Sequence, residues 1–384
     1  MMRFIEGSIA VAEAVRMCRP DVVSAYPITP QTHIVEALAE MVANCTLDAE
    51  YITVESEFSA ISACLGAVAA GSRAYSATTS QGLFLMFEPC FNFAGMRLPM
   101  VMTIANRAVS APLSIWNDQQ DSISLRDSGW LQFYAEDNQE AADLHYLAYK
   151  VAEDHGVLLP AMVCFDGFIL SHTYEPVDMP TQEQVDAYLP RFTPIQRLDA
   201  QDPITFGMFA FPEYYMEFRY AVDQAMQRAK EKIREAGKEL SAKIGRDYSA
   251  FVEGYRMEDA ETVLVAMGSL CGTVKDAIDE MRESGKKVGL LKIRTYRPFP
   301  GEEVLRALSG AKAVAVLDKN ISLGSKGAVG LEVKDALYGS GIPVHDYIVG
   351  LGGRDLRKRD IARIADLAEK GEGDLFYGLR EGVA

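Results

Sequence analysis

Three side chains, far apart in the chain, have types and neighbours suited to holding a polar ligand: Thr29 in "AYPITP", Glu57 in "VESEFSA" and Arg107 in "ANRAVS". Thr29 lies between two prolines, which stiffen the backbone and orient its hydroxyl. Glu55 and Glu57 bracket Ser56 at the start of a small-residue helix. One of the two caps that helix or faces water; the other can face a crevice, where a carboxyl group shares a proton with a ligand nitrogen. An acid at a helix start is also favoured by the helix dipole alone. The stretch "TTSQG" (78–82) offers hydroxyls and an amide just ahead of a helix. Arg107 ends an apolar run and suits a carboxylate through paired hydrogen bonds. Asp118, Asp121 and Asp127 follow it, however, and would equally make it an ordinary ion pair.

Other chemistries lack their residues. No G-x-G-x-x-G follows the first strand, there is no phosphate-loop lysine motif, and no G-x-S-x-G occurs. "GLGGRD", from Gly350 to Asp355, reads as a turn into the last helix. The five histidines (33, 145, 155, 172 and 345) show no H-x-x-x-H spacing, so no metal site is expected. The six cysteines form no C-x-x-C pair and mostly sit among apolar residues. They read as reduced core thiols of a cytoplasmic protein, and no iron–sulfur cluster is expected on this chain.

The candidate residues need elements to hold them. Helical spacing through Ile9, Ala12 and Val15 makes the N-terminus a first helix. Short apolar strands then alternate with helices: a strand from Val22 to Tyr26, a helix from Gln31 to Ala43, "YITVES" as strand, "FSAISACLGAVAAG" as helix. "RAYSATTS", "LPMVMTIANR", "WLQFYA" and "VLLPAMVCFDG" continue as strands. "GLFLMFEPCFNFAG" and a helix capped by Asn138 lie among them. This alternation predicts a mostly parallel sheet covered by helices on both faces, where ligands meet the loops at strand carboxyl ends. "AYPITP", "TTSQG" and "ANRAVS" all fall at such ends.

The pattern divides the chain into an α/β domain over 1–175, an irregular connection with a long amphipathic helix over 176–258, and a second α/β domain over 259–384. The stripe of that helix (Val222, Met226, Ala229, Ile233, Ala236, Leu240 and Ile244) is expected to pack on its own chain rather than in a coiled coil. Lys plus Arg number 38 against 54 for Asp plus Glu, a formal charge of −16 over 384 residues. That balance argues against a nucleic-acid partner. No stretch has the length and apolarity of a membrane span.

Taken together and in order, "YPITP", "VESEFSA", "TTSQGL", "ANRAVSAPLSIWNDQQD", "RDSGW" and "FDGFILSH" resemble the alpha subunit of multi-subunit pyruvate:ferredoxin oxidoreductases. The match runs through most of 1–176 and resumes at "MGSLCGT" and "YRPFP". The resemblance implies a thiamine-diphosphate-enzyme pyrimidine-type domain followed by a transketolase C-terminal-like domain. It implies that Glu57 contacts the aminopyrimidine ring nitrogen of thiamine diphosphate, favouring the tautomer that removes the thiazolium C2 proton. By the same resemblance Thr29 and Arg107 hold the 2-oxoacid. Tyr26, Pro27, Ile28, Ser80 and Gln81 border the cofactor, and Trp116 and Asn117 form a cover if their loop folds inward. A buried structural role for Trp116 is the other reading.

The activity implied is oxidation of pyruvate with coenzyme A to acetyl-CoA and CO2, reversibly, with electrons passed to ferredoxin. The chain lacks a G-D-G…N motif for diphosphate and magnesium, and lacks cysteine clusters. In the family these belong to beta, gamma and delta-type partner subunits, so the cofactor and its Mg2+ would be shared with a partner and the clusters held elsewhere in a cytoplasmic complex. Thr29 with Arg107 suggests a small neutral R-group; 2-oxoglutarate, branched-chain acids and oxalate are the alternative substrates. A non-catalytic scaffold subunit, or a thiamine enzyme working without ferredoxin, are the alternative roles.

Overall fold

Runs such as "VMTIAN" and "AMVCFD" are apolar at successive positions rather than alternate ones, the mark of strands covered on both faces. The computed structural model, which describes residues 2–373 and 375–380, buries every residue of both. In chain order the first elements are β1 (Met2–Glu6), α1 (Gly7–Met17), β2 (Val22–Ser24), α2 (Thr32–Ala43), β3 (Glu50–Ile52), α3 (Glu57–Ala69), β4 (Ala74–Thr78), α4 (Ser80–Leu85), α5 (Phe87–Gly95), β5 (Val101–Asn106), α6 (Gln120–Ile123), β6 (Leu131–Tyr134), α7 (Asn138–Ala152), β7 (Ala161–Asp166) and β8 (Tyr174–Asp178). Then come α8 (Gln182–Tyr188), α9 (Pro212–Ile244), β9 (Val252–Tyr255), β10 (Thr262–Ala266), α10 (Leu270–Glu283), β11 (Val288–Ile293), β12 (Thr295–Arg297), α11 (Gly301–Leu308), β13 (Ala313–Asp318), α12 (Ala328–Ala336), β14 (Val344–Ile348), α13 (Lys358–Glu369) and β15 (Leu375–Phe376).

The seven-stranded sheet runs β12-β6-β7-β5-β4-β2-β3 and the six-stranded sheet β15-β14-β13-β10-β11-β9, each parallel except at one antiparallel edge strand. This is the α/β architecture expected. In the first sheet the chain places β3 on one side of β2 and β4 on the other. That reversal opens the crevice in which such sheets bind ligands.

Several local readings are corrected. The N-terminus is a strand before it is a helix: β1 pairs antiparallel with β8, a partner over 160 residues away that no local periodicity announces. The boundary expected at 175 therefore falls inside a strand of the first unit. The second sheet starts at β9, within the expected connection, and β12 leaves the second unit to pair with β6 of the first. The helix expected over 82–95 is two, broken at Met86. The N-cap of α7 is Asp137, whose carboxylate accepts the Glu140 N–H at 2.7 Å; Asn138 is the first helical residue. The α9 stripe buries Val222, Ala225, Ala229, Ile233 and Leu240 against α7 and α8, so the helix packs on its own chain. Five of the six cysteines are buried free thiols and Cys45 is exposed.

Candidate functional site

Because β2, β3, β4, β5 and β7 are parallel, the loops after them gather at one edge of the sheet. Thr29 follows β2, Glu57 follows β3, Ser80 and Gln81 follow β4, and Arg107 follows β5. The structure resolves the choice between the two acids. Glu55 is exposed and accepts the Ser59 hydroxyl at 2.6 Å, while Ser56 caps α3 by accepting the Ser59 N–H. Glu57 turns inward and is 7% exposed. Its carboxylate lies against Gly82: a methyl group on that glycine would sit 2.6 Å from Glu57 Oε1 and 2.7 Å from Thr78 Oγ1. Among the described residues Glu57 has no hydrogen-bond or ion-pair partner, and the buried Thr78 hydroxyl beside it has none either. Unpaired polar groups in a crevice cost free energy unless a ligand satisfies them.

Arg107 is 6% exposed, and its ion-pair reading is overturned. The guanidinium donates to three neutral oxygens: Thr29 O at 2.7 Å, Ser114 O at 3.1 Å and Gln81 Oε1 at 3.2 Å. Among the described residues no carboxylate forms an ion pair with it. Asp121 instead accepts the backbone N–H of Arg107, and Asp118 and Asp127 lie with other partners. Burial lowers the Arg107 pKa below its ordinary value, with Asp121 opposing. A buried cation bonded only to neutral acceptors is a place for an anion. The same bond to Thr29 O fixes the rim that carries the Thr29 hydroxyl, and Thr29 itself is exposed.

The other expected contacts divide. Tyr26 and Pro27 are exposed on the rim and Ile28 is half-buried. Gln31 closes that turn by donating to Tyr26 O at 2.7 Å. Ser80 is fully buried and its hydroxyl is engaged with Ala108 O and Gln81 Oε1, each at 2.6 Å. It positions the neighbouring loop and presents no free group to a ligand. Gln81 is half-buried between Arg107 and Ser110. Trp116 is 54% exposed, which overturns the buried structural reading, and packs tilted against Phe168 with ring centroids 5.0 Å apart. Asn117 is buried with its Nδ2 unbonded.

Sequence reasoning named Asp118 and Asp121 only as ion-pair partners for Arg107 and missed what they and their neighbours hold together. Buried Asp121 accepts N–H groups from Ser80 and Arg107 on one oxygen, each at 3.0 Å, and from Asn106 Nδ2 and Ser122 on the other, at 2.7 and 2.8 Å. One carboxylate thus ties the loops after β4 and β5 together, and burial pushes it up to about 7. The segment around it is gripped by the second unit. Asp118 accepts the Gly352 N–H at 3.0 Å, Gln119 N–H donates to Lys319 O at 2.8 Å, and Gln120 accepts the Ile321 N–H at 2.9 Å. Asp166, at the end of β7, pairs with Lys319 at 3.1 Å. The run of polar residues in "WNDQQD" was the available signal, but its partners lie some 200 residues downstream.

Comparison with known proteins fits this geometry. Residues 13–238 match the family "Pyruvate flavodoxin/ferredoxin oxidoreductase, thiamine diP-bdg", and residues 260–361 match "Pyruvate:ferredoxin oxidoreductase core domain II". The pyruvate synthase subunit PorA of Methanosarcina barkeri is 54% identical over 96% of this chain and 93% of its own length. That of Methanocaldococcus jannaschii is 54% identical over 99% and 98%. The ketoisovalerate oxidoreductase subunit VorA of Pyrococcus horikoshii is 50% identical over 96% and 94%. Among solved structures, a 2-oxoglutarate:ferredoxin oxidoreductase from Magnetococcus marinus superposes with a TM-score of 0.71 at 19% identity, covering 96% of this chain and 65% of that one. A split-gene transketolase superposes with a TM-score of 0.58 at 12% identity, over 96% of this chain and all of that one. At those identities the two structures show the fold.

Proposed function

This chain belongs to the pyruvate:ferredoxin oxidoreductase family as a subunit of the pyruvate synthase type, and on that premise we propose that Glu57, Thr29 and Arg107 are its half of a thiamine diphosphate site. The observation that carries the reading is Glu57, a nearly buried carboxyl group with no partner of its own among the described residues. The residues present fit the cofactor: an unpaired carboxyl beside the unpaired Thr78 hydroxyl suits a heteroaromatic ring bearing donors and acceptors, and the uncompensated Arg107 suits the acid. Bound thiamine diphosphate supplies a nucleophilic carbon and an electron sink for loss of CO2.

The chain's own residues do the rest. Glu57 holds a proton at the aminopyrimidine ring nitrogen, and Gly82 permits that approach by lacking a side chain. Arg107 pairs with the substrate carboxylate, and the Thr29 hydroxyl, on a backbone that Arg107 itself fixes, orients the acid. Tyr26, Pro27 and Ile28 border the ring, and Trp116 with Asn117 shields the acid from water. Pyruvate is favoured over 2-oxoglutarate, branched-chain acids and oxalate by the pyruvate synthase subunits at 54% identity. Beta, gamma and delta-type subunits would supply the diphosphate and Mg2+ contacts and the iron–sulfur clusters that pass electrons to ferredoxin. No helix among the described residues is long and apolar enough to cross a membrane, and the free thiols fit a complex in the reducing cytoplasm.

The test is pyruvate- and coenzyme-A-dependent reduction of a low-potential dye by the native complex. In the Glu57→Gln complex turnover is expected to fall by roughly 10²- to 10⁴-fold with assembly intact. Undiminished turnover in that complex would return the chain to a scaffold role.

A further inference from the structure

On the sheet edge that carries the site, but outside it, two of the five histidines come together. Glu6 ends β1, His33 lies in the first turn of α2, and His172 lies in the turn between β7 and β8. One ligand atom from each falls within 4.8 Å of the others, the one such group of three among the described residues. His33 Nδ1 is 2.6 Å from Glu6 Oε1, and the two imidazoles lie tilted against each other with centroids 4.7 Å apart.

We propose that Glu6, His33 and His172 bind a divalent first-row transition metal of the Zn2+ class, and that this ion pins the foot of the Thr29 rim. Two imidazoles and one carboxylate are the donor set of three-ligand zinc sites that keep a position open. Imidazole disfavours Mg2+ and Ca2+, which take oxygen ligands. Tetrahedral bonds of about 2.0–2.2 Å to a shared ion set the ligand atoms roughly 3.3–3.6 Å apart, so the Glu6–His33 pair, now 2.6 Å apart, opens, and any pair near the 4.8 Å limit closes by about 1 Å. His33, with 44% of its side chain exposed, has the freedom to move accordingly.

An outer partner is already in place. Ser171 Oγ lies 2.7 Å from His172 Nδ1 and also accepts the Phe168 N–H. In the tautomer we assign, His172 donates Nδ1–H to that hydroxyl, which leaves the Nε2 lone pair for an ion. The backbone around the three ligands is fixed as well. Ser8 N–H and hydroxyl both donate to Ser171 O, at 3.0 and 2.8 Å. Gly167 packs so closely on Pro30 that a methyl group there would lie 2.5 Å from the proline ring. An ion across Glu6, His33 and His172 would therefore join the end of β1 and the turn after β7 to the start of α2, next to the rim. None of the three ligands belongs to the proposed half-site.

The complex, purified through this chain, would be stripped with a chelator, incubated with Zn2+, passed through a desalting column and assayed for zinc by mass spectrometry. The wild-type complex is expected to retain one zinc per copy of this chain more than the Glu6→Gln, His33→Ala and His172→Ala complexes, while His155→Ala, an exposed histidine elsewhere, keeps the wild-type content. Glu6→Gln preserves size and the hydrogen bond to His33, so it decides the matter even if a histidine variant fails to assemble. Equal zinc in wild-type and Glu6→Gln complexes, whether at zero or at any higher content, would overturn the proposal.

Discussion

Replacing Gly82 by Ala tests the Glu57 reading without touching a reactive group. The added methyl would lie 2.6 Å from Glu57 Oε1, 2.7 Å from Thr78 Oγ1 and 2.9 Å from Glu57 Cγ. Carbon–oxygen contacts settle at about 3.3 Å or more, so the carboxyl must retreat by about 0.7 Å. A displacement near 1 Å at a reacting centre costs up to about 100-fold. We therefore expect Gly82→Ala to lower turnover in the pyruvate-dependent dye assay by roughly 10- to 100-fold, about 1.4–2.7 kcal/mol of transition-state stabilisation. Global stability should change little, because alanine improves the helix by about 1 kcal/mol and offsets part of an overpacking cost of about 1–3 kcal/mol. Gly66 supplies the matched control. It lies in α3, the helix that Glu57 begins, and a methyl group there meets nothing within 4 Å. Gly66→Ala should keep full activity and gain up to about 1 kcal/mol. If the Gly82→Ala complex turns over like wild type with the same dependence on added thiamine diphosphate, Glu57 is not working from the position described here.

Arg107→Lys should lower kcat/KM for pyruvate by roughly 10- to 100-fold, because an ammonium cannot serve Thr29 O, Ser114 O and Gln81 Oε1 while pairing with a carboxylate; an unchanged value would remove Arg107 from substrate binding. Asp121→Ala strands the Ser80 and Arg107 N–H groups in a buried site, and should cost at least about 2 kcal/mol and most of the activity; a melting temperature and turnover like wild type would refute its tying role. His145 is buried, with Nδ1 donating to Ala141 O and Nε2 accepting from Thr103, and burial lowers its pKa from 6.5 to about 4. Because the folded pKa lies below the unfolded one, its contribution is complete above about pH 6.5 and is lost as pH falls towards 4, on the order of 3 kcal/mol in total. Amide hydrogen exchange across α7, corrected for intrinsic rates, should show protection falling over that window in wild type and a flatter profile in His145→Gln.

The fold class was legible because strands buried on both faces are apolar throughout, and helices between them carry one apolar face; both patterns are local. So was the placing of the candidate side chains at strand ends. "AYPITP", "VESEFSA" and "ANRAVS" set Thr29, Glu57 and Arg107 where a parallel sheet must present them, whatever the details of packing. Local sequence could not decide which acid turns inward. That depends on Gly82 leaving space beside Glu57, while Ser56 and Ser59 hold Glu55 outside.

Tertiary structure alone decided the partners. Asp121 joins two loops because β4 and β5 are neighbours in the sheet, and the loop from Arg107 to Asp121 is gripped by Lys319, Ile321 and Gly352 because the second unit folds back over the first. The exchange of β12 into the first sheet and the pairing of β1 with β8 are of the same kind. So is the meeting of Glu6, His33 and His172, which no spacing rule anticipates. The sequence by itself determined which side chains stand at the strand ends, since periodicity and the direction of a parallel sheet are properties of short stretches of chain. Which of those side chains lie buried without a partner, and are thereby available to a ligand, was decided only by contacts between residues distant in sequence, because pairing and desolvation depend on everything that packs around a group.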